Sequence, residues 1–170
     1  MSRTGEANLR DVTAEYLRTA TPDSHTVTDL RAYTVNGITY TVDGRRVVLD
    51  YSSHEKEIAG LLERKLGGEL YMVPRVNEPQ GVSTPDYLFR GERFDLKSPQ
   101  GGGKNTLYDA IAKKAAQSEN FVFDLTKSPL SEEEAGRQIA LIYRSTHTRF
   151  VNVIIVVKNG EIVRILKRNK

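Results

Sequence analysis

The sequence predicts an α/β fold, a mixed central sheet with helices on its faces, preceded by an N-terminal β-meander extension. Three observations carry this. Apolar residues recur at helical spacing in some segments and alternate in others. The dipeptides Asn36-Gly37, Asp43-Gly44 and Asn159-Gly160 accept the positive φ of tight hairpin turns between apolar runs. From residue 53 the order reads helix, three strands, helix, strand, helix, two strands, which implies a sheet with helices packed on it.

Residues 6–19 read as a short helix with Leu9, Val12 and Leu17 on one side, followed by a polar Thr-Ala-Thr-Pro-Asp-Ser linker. Alternation from Ala32 to Tyr51 through its two turn dipeptides predicts a three-stranded meander. A helix spans about Ser53 to Leu66, its stripe formed by Ile58, Leu61, Leu62 and Leu66 and its end marked by Gly67-Gly68. Glu69 to Pro74 is an apolar strand. Asp86–Phe89 and Phe94–Lys97 form a hairpin about Arg90-Gly91-Glu92.

The loop Ser98–Asn105 leads to a helix opened by a capping box at Thr106 and Asp109, with Leu107, Ile111 and Ala115 on its apolar side. Phe121–Leu125 is a short buried strand. Ser131-Glu132-Glu133-Glu134 is a second capping-box start for a helix to about Arg144, and strands Phe150–Val157 and Glu161–Leu166 end the chain. Residues 1–50 are thus expected to form an extension (short helix, linker, meander), and residues 51–170 the functional domain.

A chain of 170 residues supports one domain with a proper core. The formal charge of +3 and a pI near 9.1 favour a polyanionic partner. The absence of cysteine excludes disulfides and a Cys-based zinc site. His25, His54 and His147 lack metal-ligand spacing. No run resembles a signal peptide or approaches a membrane span, so a soluble chain without membrane partners is expected.

The stretch with the most chemistry is Thr-Pro-Asp-Tyr-Leu-Phe-Arg-Gly-Glu-Arg-Phe-Asp-Leu-Lys, residues 84–97. With a loop of two or four residues, Asp86 falls opposite Asp95 or Lys97, and strand alternation puts Asp86, Asp95 and Lys97 on one face. A three-residue loop would break this. Two carboxylates held together repel unless a divalent cation takes oxygen ligands from both, Mg²⁺ first, Mn²⁺ or Zn²⁺ as alternatives. A lysine beside such an ion can orient water or stabilise phosphate charge, as phosphodiester hydrolysis requires. The competing reading is a surface hairpin with solvated charges.

Glu55 and Glu57 are the candidates for a third acid. Glu55 lies within the apolar arc of its helix, but Ser52-Ser53-His54-Glu55 also fits a capping box in which the glutamate only serves the backbone. Gly101-Gly102-Gly103-Lys104-Asn105 fails as a P-loop, since Ser98 stands where the first glycine should be and Asn105 follows the lysine. Lys104 and Asn105 could still approach nucleic-acid phosphate, as could Lys113, Lys114 and Gln117 on the next helix; a flexible loop and a solvated helix face are the alternatives. His147, flanked by Arg144 and Arg149, offers a metal-free acid or base.

Asp86, Asp95 and Lys97 behind an acidic helix resemble the PD-(D/E)xK nuclease superfamily, whose helix, three strands, helix, strand core fits the element order. The segments HEKEIAGLLERKLGGELYMVP, TPDYLFRGERFDLKSP, GGGKNTLYDAIAKKAAQ and NFVFDLTKSPLSEEEA more narrowly resemble the C-terminal tRNase domain of contact-dependent growth inhibition toxins of the CdiA type. The likeness implies a metal-dependent endonuclease toxin that cleaves RNA, tRNA above all, in the cytoplasm of a target bacterium and is neutralised by an immunity protein. By position, Asp86 and Asp95 would bind the metal, Lys97 would be the catalytic lysine, and Glu55 or Glu57 the helix acid. Asp95 stands where the family usually has Glu, one methylene shorter. The rival readings are a DNA endonuclease with the same site and a non-catalytic nucleic-acid-binding domain of a phage or mobile-element protein.

Overall fold

The structure is a computed structural model describing residues 8–21, 27–112 and 118–169. In chain order the elements are β1 (Leu9–Asp11), α1 (Thr13–Arg18), β2 (Val27–Asp29), β3 (Ala32–Val35), β4 (Ile38–Thr41), β5 (Val47–Val48) and α2 (Ser53–Leu66). Then come β6 (Leu70–Met72), β7 (Arg75–Val76), β8 (Tyr87–Phe89), β9 (Glu92–Lys97), α3 (Thr106–Ala112), β10 (Asn120–Asp124), α4 (Glu132–Arg144), β11 (Val153–Lys158) and β12 (Glu161–Arg168). They group into two compact units, one of Thr19–Asp95 and the other of the residues up to Arg18 with those from Leu96 onward. The expected boundary at residue 50 falls inside the first of these.

In the Thr19–Asp95 unit the strand order is β9-β8-β6-β2, with β2 parallel to β6 and the other pairs antiparallel, so the sheet is mixed. The α2 helix has the predicted bounds and lies against β6 and β2. Its stripe is fully withdrawn from water, Leu62 and Leu66 being 0% exposed; burying such a side chain contributes about 1.5–3 kcal/mol. The capping box is present in both directions: Ser52 Oγ accepts from Glu55 N–H, and Glu55 Oε1 accepts from Ser52 N–H. Arg90 closes the other end, donating to the carbonyls of Leu66 and Gly67.

The three-stranded meander is not found. β3 and β4 pair through the Asn36-Gly37 turn as a separate two-stranded sheet, while β5 pairs with β7. The reason lies in Asp43. Its Oδ1 accepts from the N–H groups of Arg45, Arg46 and Val47, and its own N–H donates to Val47 O, so the chain closes into a side-chain-locked loop that releases β5 from β4. The strand predicted over 69–74 is found as β6, which pairs with β2 and β8, and β7 just beyond it takes β5.

In the other unit the order is β1-β12-β11-β10. β10 and β11 are parallel, Phe121 against Ile154, with α4 between them in sequence, and β11 and β12 form a hairpin through Asn159-Gly160. Leu107 and Ile111 of α3 and Ile139, Ile142 and Tyr143 of α4 bury against Phe121, Phe123, Ile154 and Leu166. Both units are therefore mixed α/β, as the sequence predicts.

Two local expectations change here. Residues 9–11 form a strand instead of the start of a helix, because they complete the β12 ladder; Asp11 Oδ1 then accepts from Thr13 N–H and the helix begins only there. Residues 6 and 7 and linker residues 22–24 lie outside the described residues. At α4, Ser131 accepts from Glu134 N–H as predicted, but Glu134 does not return the bond: its carboxylate accepts from Gln138 and Arg137. Among the described residues no helix is long and apolar enough to cross a membrane.

Candidate functional site

The hairpin that carries the candidate carboxylates turns through Arg90 and Gly91 alone, at φ of 54° and 79°. Both residues lie in the left-handed region, as a two-residue turn that matches strand twist demands. Phe89 pairs with Glu92, Leu88 with Arg93 and Tyr87 with Phe94, and the next residues outward, Asp86 and Asp95, are joined by a hydrogen bond from Asp86 N–H to Asp95 Oδ1. Tyr87, Phe89 and Phe94 turn to the buried face, with the two phenyl rings edge to face at 5.7 Å. This apolar set fixes the register, since a slip by one residue would expose all three.

The other face therefore presents Asp86 and Asp95, and alternation along β9 places Lys97 on the same side of the strand as Asp95. Asp95 is buried, 3% exposed, and its Oδ1 accepts from Asp86 N–H at 3.1 Å. Asp86 O in turn accepts from Val73 N–H, which anchors the residue to the chain just beyond β6. The pairing that strand arithmetic predicted for a two-residue loop is present.

α2 meets this hairpin through Tyr87, whose hydroxyl donates to Glu55 O at 2.6 Å. Burial drives the Tyr87 pKa far upward, and the nearby carboxylates of Asp86 and Glu55 add to the effect, so it remains a neutral donor. Glu55 is thus tied to β8 through its backbone carbonyl, while its Oε1 serves the capping box. Glu57 points elsewhere: it sits 3.4 Å from His54 Nδ1 with its side chain 73% exposed.

The glycine loop is held, not loose. Ser128 Oγ donates to Gly101 O, and the buried Gln138 donates to Gly103 O while accepting from Leu107 N–H. A Cβ on Gly102 would meet Pro129 at 2.6 Å, so only glycine permits this approach. Lys104 and Asn105 stand exposed at its end. Lys113, Lys114 and Gln117 lie outside the described residues. His147 is exposed in a 3-10 turn over Thr146–Thr148.

Sequence reasoning missed the roles of Gln138 and Arg168. Gln138 interrupts the apolar stripe of α4 beside Ile139 and Ile142, and a lone amide within a buried stripe was the available signal. Arg168 donates to the carbonyls of Tyr143, Thr148 and Val151 and lies over the Tyr143 ring at 5.0 Å. It knits the fold.

Among the described residues no group of three or more His, Cys, Asp or Glu side chains could hold a metal ion. The donor chemistry of Asp86 and Asp95 still suits Mg²⁺, which is commonly held by one or two carboxylates with the rest of its shell from water and substrate phosphate. An all-protein cage is not required for that mode.

Residues 83–162, which include this hairpin from Asp86 onward, match the model of the family described as the contact-dependent growth inhibition CdiA C-terminal domain. Among solved structures the chain is similar to one from a CdiA-CT/CdiI toxin and immunity complex from Burkholderia pseudomallei, at 28% identity and a TM-score of 0.52, over 67% of this chain and 82% of that one. No curated protein matches the chain. Both are likenesses to CdiA C-terminal domains, and the family match spans the carboxylate pair.

Proposed function

We propose that the chain is a toxin domain of the contact-dependent inhibition type, acting as a metal-dependent endonuclease on RNA, with tRNA as the favoured substrate, and neutralised by a cognate immunity protein. The observation that carries this reading is the register of the β8–β9 hairpin, which sets Asp86 against Asp95, with Lys97 two residues further along the strand, inside the segment related to CdiA toxin domains. The partner is argued from the similar structure, described as a toxin and immunity complex.

Asp86 and Asp95 would hold the ion, Mg²⁺ by donor type. Bound there, it would offset their repulsion and lower the pKa of a coordinated water. The hydrogen bond from Asp86 N–H fixes one oxygen of Asp95, so the second carboxylate oxygen is pre-oriented. Lys97 would orient the attacking water or steady charge on the phosphate oxygens. Glu55 we assign to the cap of α2, and Tyr87 to holding that helix against β8.

The test is incubation of purified protein with total bacterial RNA and with plasmid DNA, in Mg²⁺ and in EDTA, beside Asp95→Ala. Discrete tRNA fragments are expected, abolished by EDTA and reduced at least about 100-fold by the substitution. Cleavage of DNA alone would replace the substrate, and RNA cleavage that persists in EDTA would move the chemistry to His147.

A further inference from the structure

In the unit built on β10–β12 the register sets two cations directly against each other. Arg10 of β1 pairs with Lys167 of β12, so both side chains leave the same face of the antiparallel ladder. Such cross-strand neighbours have Cβ atoms roughly 4.5–5.5 Å apart, and like charges placed this way are destabilising. Arg10 is exposed and Lys167 half-buried, and among the described residues neither side chain makes a hydrogen bond or ion pair.

The nearest acid in sequence cannot relieve them. Asp11 pairs with Leu166 and so leaves the opposite face, where it accepts from Thr13 and lies 3.3 Å from Arg164. Arg168 is also on that opposite face, occupied by three carbonyls. Just before β1 stands exposed Asn8, an amide donor, whose carbonyl accepts from Asn169 N–H. Among the described residues the patch thus offers two strong cationic donors and an amide, and no anion.

We propose that Arg10 and Lys167 form a clamp for a backbone phosphate of the RNA substrate. The inference rests on the nuclease reading and adds a binding point outside the carboxylate hairpin. A bridging phosphodiester converts the repulsion into two charge-assisted interactions: the guanidinium matches two phosphate oxygens and the ammonium serves as a point charge. Such interactions position a nucleic acid without reading its sequence.

The clamp predicts that stability and binding move in opposite directions. In an Asp95→Asn parent, chosen to leave RNA intact, Lys167→Glu would face Arg10 with an opposite charge. Its Tm is expected to rise by about 1–4 °C. Its affinity for a fluorescent single-stranded RNA should fall, with the slope of log K against log salt reduced by about 0.7 for each phosphate that the protein no longer neutralises. Arg10→Glu should behave alike. A Tm that is unchanged or lower, RNA binding and salt slope equal to the parent's, or binding of polyglutamate as tight as that of RNA would each overturn the clamp. If the parent itself binds no RNA, the RNA-nuclease reading falls and the clamp falls with it.

Discussion

At the scale of single residues, one oxygen can belong to two different explanations. Glu55 was legible both as a helix acid and as a cap, and the structure spends its Oε1 on the Ser52 N–H. The two roles separate by substitution, because glutamine retains the capping hydrogen bond and loses the charge. Glu55→Gln is expected to leave both stability and nuclease activity within about twofold of the parent, whereas Glu55→Ala should cost about 1 kcal/mol by urea denaturation. A 100-fold loss of activity in the glutamine variant with an unchanged melting curve would make Glu55 an ion ligand. Asp86 and Asp95 were legible only conditionally: alternation about Arg90-Gly91-Glu92 puts Asp86 opposite Asp95 or Lys97 according to loop length, and the two-residue turn of the structure selects Asp95.

Elements were predictable where their signals were local. α2 has its predicted bounds because cap, stripe and terminal glycines all lie within its own segment. The meander failed because pairing is not local: Asn36-Gly37 and Asp43-Gly44 look alike in sequence, yet one joins a ladder while the other is tied up by the Asp43 carboxylate. The glycine loop follows the same logic, its conformation being set from α4 by Gln138. Gln138→Ala would strand the Leu107 N–H and the Gly103 carbonyl, and a loss of about 2–3 kcal/mol in urea unfolding is expected. Unchanged stability would mean that water replaces the amide.

At the scale of the whole molecule, residues far apart in sequence close the sheet, and β1 depends on β12 some 150 positions away. The junction carries a pH dependence. Burial alone would raise the Asp11 pKa, but hydrogen bonds from Thr13 and the Arg164 guanidinium bring it below the ordinary carboxylate value. A folded pKa below the unfolded one stabilises above the unfolded value, about 3.9, and that contribution is lost as pH falls through the folded one. Asp11→Asn should therefore lower the Tm slightly at pH 7 and flatten its fall below about pH 4. An acid limb unchanged from the parent would refute the assignment, and the effect is small because the side chain is 47% exposed. What the sequence by itself determined was the α/β class and the α2 helix, since each follows from periodicity or caps within a short segment. Tertiary structure alone decided that Arg10 faces Lys167, that Arg168 is structural, and that β5 leaves β4 for β7. Those outcomes depend on which distant backbone groups find each other, and single-segment patterns do not encode that choice.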